Sequence, residues 1–96
     1  MNVLARKYEI LVVDDSPVYR KLTEQILSGG VYSVSFACSG NEALKAYHPN
    51  SPHIVITDWS MPDFSGLELC RHIRTDKTSA YTYVILMPAT RRKTES

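Results

Sequence analysis

The chain has little of what marks several common protein classes. It contains two cysteines, Cys38 and Cys70, and their spacing suits neither a CxxC redox pair nor a zinc site. Both sit among apolar neighbours, which predicts reduced, partly buried thiols in a cytoplasmic protein. Its four glycines, Gly29, Gly30, Gly40 and Gly66, form neither a P-loop nor a dinucleotide-binding signature. No apolar run reaches about 18 residues, so no membrane span is expected. The basic residues between Met1 and Lys7 are followed by no apolar h-region before Glu9, which argues against a secretory signal. Charge of one sign is lacking too. Eleven Lys and Arg stand against ten Asp and Glu, a net charge of +1, which gives no electrostatic reason to expect nucleic acid or a membrane surface as the main partner.

What is present reads as one small globular unit. Hydrophobic residues make up 44% and charged residues 22% of 96, ordinary values for a folded domain. There is no internal repeat and no low-complexity linker. Residues 89–96 carry Arg91, Arg92 and Lys93 against Glu95 and read as a solvated basic tail on a core of about residues 8–88.

Strand-like and helix-like segments alternate. Ile10-Leu11-Val12-Val13 is apolar without interruption, as a strand covered on both faces must be. Ser16-Pro17 is a helix start, with Ser as the cap and Pro in the first turn. Val18, Leu22 and Ile26 then recur every four residues with Tyr19 and Leu27 beside them, predicting the buried stripe of a helix that stops at Gly29-Gly30. Residues 32–38 alternate loosely, as a shorter or edge strand does. Ser39 and Glu42 form a capping box for a helix running to Tyr47, ended by Pro49 and Pro52. His53–Thr57 is a second buried-strand run ending at Asp58. A loop with Pro62 and Gly66 leads to a helix marked by Leu67, Leu69, Cys70 and Ile73, and Thr82–Met87 is a fourth strand. The order β-α-β-α-β-α-β predicts an α/β protein with a doubly wound parallel sheet. Such sheets place their sites at the carboxyl ends of the strands.

Asp14, Asp15 and Asp58 fall at the ends of the two most apolar strands. If those strands are neighbours, three carboxylates crowd one rim and repel. A hard divalent cation relieves that repulsion, because Mg²⁺ takes carboxylate oxygens, a carbonyl and several waters.

Glu9–Pro17 (EILVVDDSP), Asn41-Glu42-Ala43-Leu44 and Ile54–Leu69 (IVITDWSMPDFSGLEL) resemble the receiver domain of two-component response regulators, over about residues 8–89. The resemblance implies a flavodoxin-like sheet of order 2-1-3-4-5, the order for which a receiver is a standard example. It implies that Asp58 is the phosphoacceptor and that Asp14 and Asp15 hold Mg²⁺ (or Mn²⁺) with Asp58 and the backbone carbonyl of Ser60. Met61, Pro62 and Gly66 would shape the pocket, and Trp59 would stand at its rim. The implied partner is a sensor histidine kinase or a phosphotransfer protein. The implied role is a phosphoacceptor domain rather than an enzyme, with at most Mg²⁺-dependent autophosphorylation and autodephosphorylation.

Two departures from the family stand out. The hydroxyl residue expected at the end of strand four is replaced by Pro88, followed by Ala89 and Thr90. Proline has no hydroxyl and no N–H. The family's lysine after strand five has no counterpart before Ser96, so the reading is of a receiver lacking the fifth strand and last helix. Retained metal binding and slow phosphorylation follow as expectations. So does an exposed fourth strand that pairs with a second copy, as a homodimer or swapped oligomer through that strand or the uncovered sheet face, with Tyr81 and Tyr83 beside it. A degenerate interaction module and a truncated product are the alternatives. A haloacid-dehalogenase-like phosphatase is disfavoured, because Ser60 stands where its second aspartate belongs. Of the three histidines, His48, His53 and His72, the first two sit near helix and strand starts and read as structural or surface groups remote from the carboxylates.

Overall fold

The computed structural model describes residues 8–47, 52–75 and 82–87. Seven elements follow one another: β1 (Tyr8–Val13), α1 (Pro17–Leu27), β2 (Tyr32–Ala37), α2 (Gly40–Tyr47), β3 (Ile54–Asp58), α3 (Gly66–Thr75) and β4 (Tyr83–Met87). The strands form one parallel sheet of order β2-β1-β3-β4. The alternation expected from the sequence is therefore present, and the four described strands take the order 2-1-3-4 of the expected sheet. β1 lies inside the sheet because Ile10, Leu11, Val12 and Val13 offer apolar side chains to both faces, and all four are buried.

The two faces differ. Leu11 and Val13 of β1 and Val55 of β3 join Ala43 and Tyr47 of α2 and Leu69 and Ile73 of α3 in the main core. Full burial of a Leu, Ile or Val side chain contributes about 1.5–3 kcal/mol, so this face carries most of the packing energy. Both of its helices begin with a capping box. Ser39 Oγ accepts from Glu42 N at 3.1 Å, and the Glu42 carboxylate reaches one residue further back than expected, to Cys38 N at 2.8 Å. At the start of α3, Ser65 and Glu68 exchange the fully reciprocal pair, Glu68 N to Ser65 Oγ at 3.1 Å and Ser65 N to the Glu68 carboxylate at 3.2 Å.

The opposite face is covered by α1 alone among the described residues, and here one expectation fails. Val18, Leu22 and Ile26, expected as the buried stripe, are 66%, 46% and 78% exposed. Tyr19, Arg20, Thr23 and Leu27 are half-buried instead. The Arg20 guanidinium donates to the Asp14 carbonyl at 2.8 Å. That bond ties the helix to the end of β1 in a rotation that turns the aliphatic stripe away from the sheet. Tyr83, Ile85 and Met87 of β4 are likewise exposed, while Val84 packs on the core of the other face. The strand thus has one covered and one open side. Gly29 and Gly30 close α1's end at φ of +140° and +101°, values that L side chains rarely adopt.

The cysteines correct a second expectation. Cys70 is half-buried, but Cys38 is exposed, because it lies just past the end of β2. His53 is structural, as expected. Its Nδ1 accepts from Glu9 N at 2.9 Å, its backbone pairs with Glu9 O and Tyr83 N, and its ring meets Tyr8 edge-on at 5.5 Å. These bonds gather β1, β3 and β4 at the amino ends of the strands. His48, Tyr81, Pro88, Ala89, Thr90 and the basic tail lie outside the described residues.

Candidate metal centre

Parallel register sets this site. Val13 of β1 stands opposite Thr57 of β3, so the residues that follow, Asp14 and Asp58, emerge together at one carboxyl rim. Ligand oxygens of Asp14, Asp15 and Asp58 lie within 4.8 Å of one another. The three aspartates picked from the sequence are thus brought together. Asp14 and Asp58 are 7% and 3% exposed, whereas Asp15 faces solvent. Two buried carboxylates and one open one, converging from adjacent strands, fit the all-oxygen donor set of a hard divalent cation with room for water ligands.

The surroundings hold these groups in place. Asp14 N donates to Ala37 O of β2 at 3.0 Å, and the Asp14 carboxylate accepts from Ser16 N at 2.9 Å. Ser16 Oγ in turn accepts from Tyr19 N at 3.4 Å, capping α1 as its sequence position predicts. On the β3 side, the buried Thr57 hydroxyl donates to Asp58 O at 3.0 Å. Gly66 N donates to Trp59 O at 2.7 Å, closing the base of the loop that follows Asp58. A Cβ on Gly66 would overlap the Asp58 carbonyl oxygen, which is why glycine stands there.

Within that loop, Met61 is half-buried against the core, while Trp59, Ser60 and Pro62 are exposed. Trp59, 41% exposed, projects beside the buried Asp58. Behind the carboxylates a cavity of about 290 Å³ runs between α1 and the sheet, lined by Val12, Tyr19, Thr23, Ile56 and Met87 with Asp14 and Asp58 at one end. Met87 stands opposite Asp58 in the β3–β4 register. The three pocket positions that follow it in sequence, Pro88, Ala89 and Thr90, are not among the described residues.

One residue near the site had no sequence signal. Asp63, in the same loop, accepts from Gly40 N and Asn41 N of α2, each at 2.8 Å, and from Phe64 N at 2.9 Å. Desolvation pushes its pKa up, but the bonds from Asn41, Gly40 and Phe64 outweigh that and hold it below the ordinary carboxylate value. Its partners in α2 lie 22 and 23 residues away, beyond the reach of any local motif.

Comparison with known proteins converges on one family. A profile of the response regulator receiver domain matches residues 10–95. Response regulator MprA of Mycobacterium sp. (strain KMS) is 44% identical over 66 residues, which is 69% of this chain and 29% of that protein. The probable transcriptional regulator ycf27 of Cyanidium caldarium is 39% identical over 71 residues, 74% of this chain and 28% of that protein. The chain thus spans under a third of these relatives' length. Among solved structures, chemotaxis response regulator CheY4 of Vibrio cholerae superposes with a TM-score of 0.80 at 26% identity, covering 93% of this chain and 77% of that one.

Proposed function

Because the chain belongs to the response regulator receiver family, and so to two-component signalling, we propose that it accepts a phosphoryl group on Asp58 with Mg²⁺ (or Mn²⁺) held by Asp14, Asp15, Asp58 and the backbone carbonyl of Ser60. The convergence of three carboxylates within 4.8 Å at the ends of adjacent strands supports this reading most strongly.

The chemistry follows from the residues. An Asp58 carboxylate oxygen attacks phosphorus, a new O–P bond forms, and the donor's P–N or P–O bond breaks with the electron pair leaving on the donor. A sensor histidine kinase or phosphotransfer protein supplies the group, and a small acyl phosphate can replace it. The bound cation supplies charge neutralisation between carboxylate and phosphoryl oxygens. Burial holds Asp58 in one place, while the exposed Trp59, Ser60 and Pro62 offer a surface to the donor. Gly66, Met61 and Pro62 shape the loop. Pro88 offers no hydroxyl to the transferred group, and a charge-assisted hydrogen bond of that kind is worth about 1.5–3 kcal/mol, so transfer is slow.

A Mg²⁺ titration followed by calorimetry tests the metal assignment. At about 4 Å and an effective dielectric of about 20, one carboxylate charge is worth about 4 kcal/mol to a monovalent partner, and less where exposed. Asp15→Asn therefore lowers Mg²⁺ affinity by at least about tenfold. Unchanged affinity in Asp15→Asn argues against the assignment.

The open side of β4 supports a second part of the reading, a homodimer or swapped oligomer. Tyr83, Ile85 and Met87 are exposed on the strand that ends the described sheet, and an uncovered apolar edge templates pairing. In solution the 96-residue chain self-associates through this strand or the face beside it. A monomer mass by light scattering at high concentration contradicts this.

A further inference from the structure

We propose that Asp63 is a positioning residue, a latch that ties the loop after Asp58 to the start of α2 and so fixes the two halves of the metal site relative to each other; this rests on reading Asp14, Asp15 and Asp58 as that site.

The two halves come from different parts of the sheet. Asp14 and Asp15 follow β1, whose end is bonded to Ala37 of β2, and β2 leads directly into α2. Asp58 ends β3, and the loop bearing Ser60 leads from it into α3. The β1–β3 ladder joins the halves as far as Val13 and Thr57. Beyond it, Asp63 spans the gap. One carboxylate oxygen accepts from Gly40 N and the other from Asn41 N, each at 2.8 Å.

A count of α2's amino-terminal donors shows how much rests on this residue. The first turn of a helix leaves its N–H groups without helical partners. Here Ser39 Oγ takes Glu42 N, Ser39 O takes Ala43 N, and the Asp63 carboxylate takes Gly40 N and Asn41 N. Ala43 N already makes the first i→i−4 bond of the helix, so of the three remaining first-turn donors the helix's own cap takes one and the loop after β3 takes two. A negative charge at this end also suits the helix dipole.

The neighbouring residue strengthens the tie. The Phe64 ring lies so tightly against Gly40 that a Cβ there would overlap it, and Phe64 packs on the core. The loop is therefore fixed at its base by Gly66 N to Trp59 O, and at its tip by Asp63 and Phe64. Ser60 lies between these anchors. Residues that orient metal ligands without touching the ion typically change metal affinity by about 10–100-fold when removed.

The test is a Mg²⁺ titration of the full chain, read by calorimetry and by the fluorescence of Trp59, the single tryptophan. Asp63→Ala is expected to weaken Mg²⁺ binding by about tenfold. Asp63→Asn keeps one carbonyl oxygen for Gly40 N and recovers part of that loss, and it carries the comparison if the alanine variant does not fold. Ser39→Ala removes capping from the same helix without touching the loop. It is expected to lower the urea midpoint as Asp63→Ala does, while leaving Mg²⁺ affinity unchanged. The latch is overturned if the Asp63 variants bind Mg²⁺ as the parent does, or if Ser39→Ala weakens binding equally. A parent chain that gives no Mg²⁺ response, like Asp15→Asn, overturns the metal site itself and the latch with it.

Discussion

Gly66 lies against the carbonyl oxygen of Asp58 with no space for a methyl group between them. The Leu86 side-chain tip, with Cδ2 3.0 Å from the added carbon, can shift by a few tenths of an ångström, but the Asp58 carbonyl is backbone and does not give way easily. Gly66→Ala therefore pushes on Asp58, the proposed phosphoacceptor. Overpacking of this kind typically costs about 1–3 kcal/mol. Urea denaturation should show that loss, together with weaker Mg²⁺ binding. A fully stable Gly66→Ala protein with unchanged metal affinity contradicts the close approach.

Leu69 and Leu22 make a contrasting pair. Leu69 is 0% exposed in the core between α2, α3 and the sheet, whereas Leu22 is 46% exposed on α1. Leu69→Ala is expected to cost about 2–5 kcal/mol, a large share of a small domain's stability. Leu22→Ala should stay within about 0.5 kcal/mol. Equal losses in urea titrations would mean that the aliphatic stripe of α1 faces the sheet after all.

Asp63 makes stability depend on pH with a definite sign. Its folded pKa lies below the ordinary aspartate value of 3.8. A group lowered on folding stabilises the native state while ionised, and that contribution fades as pH falls below 3.8 and through the folded pKa. The parent chain should therefore exceed Asp63→Asn in urea midpoint at pH 6, and the gap should close under more acidic conditions. A gap that is constant down to the acid transition would show that the carboxylate charge is not what holds α2.

Much of this arrangement was legible in the sequence, for physical reasons that particular residues show. The uninterrupted run Ile10–Val13 could only be a strand covered on both sides, and it is central. Ser16-Pro17 and Ser39 with Glu42 announced two helix starts, because a cap satisfies its donors within four residues. The acidic trio was legible once Ile10–Val13 and His53–Thr57 were read as neighbouring strands.

What escaped depends on distant parts of the chain. The rotation of α1 is fixed by Arg20 at Asp14 O and by an adjoining face that no described element covers, whereas periodicity reports only that a stripe exists. Val18, Leu22 and Ile26 formed the more apolar stripe, yet Tyr19, Thr23 and Leu27 face inward. Cys38 looked buried from its neighbours but falls one residue past the end of β2. Asp63 sits in a loop like many others, and its bonds to Gly40 and Asn41 exist only once α2 and that loop are folded side by side.

The most direct test of the site is intact mass after incubation with acetyl phosphate, with and without Mg²⁺, for the parent chain and Asp58→Asn. Slow addition of a single phosphoryl group is expected, dependent on Mg²⁺ and absent from Asp58→Asn. Rapid and complete conversion would contradict the impairment assigned to Pro88, and an adduct that forms without Mg²⁺ or persists in Asp58→Asn would contradict the site itself.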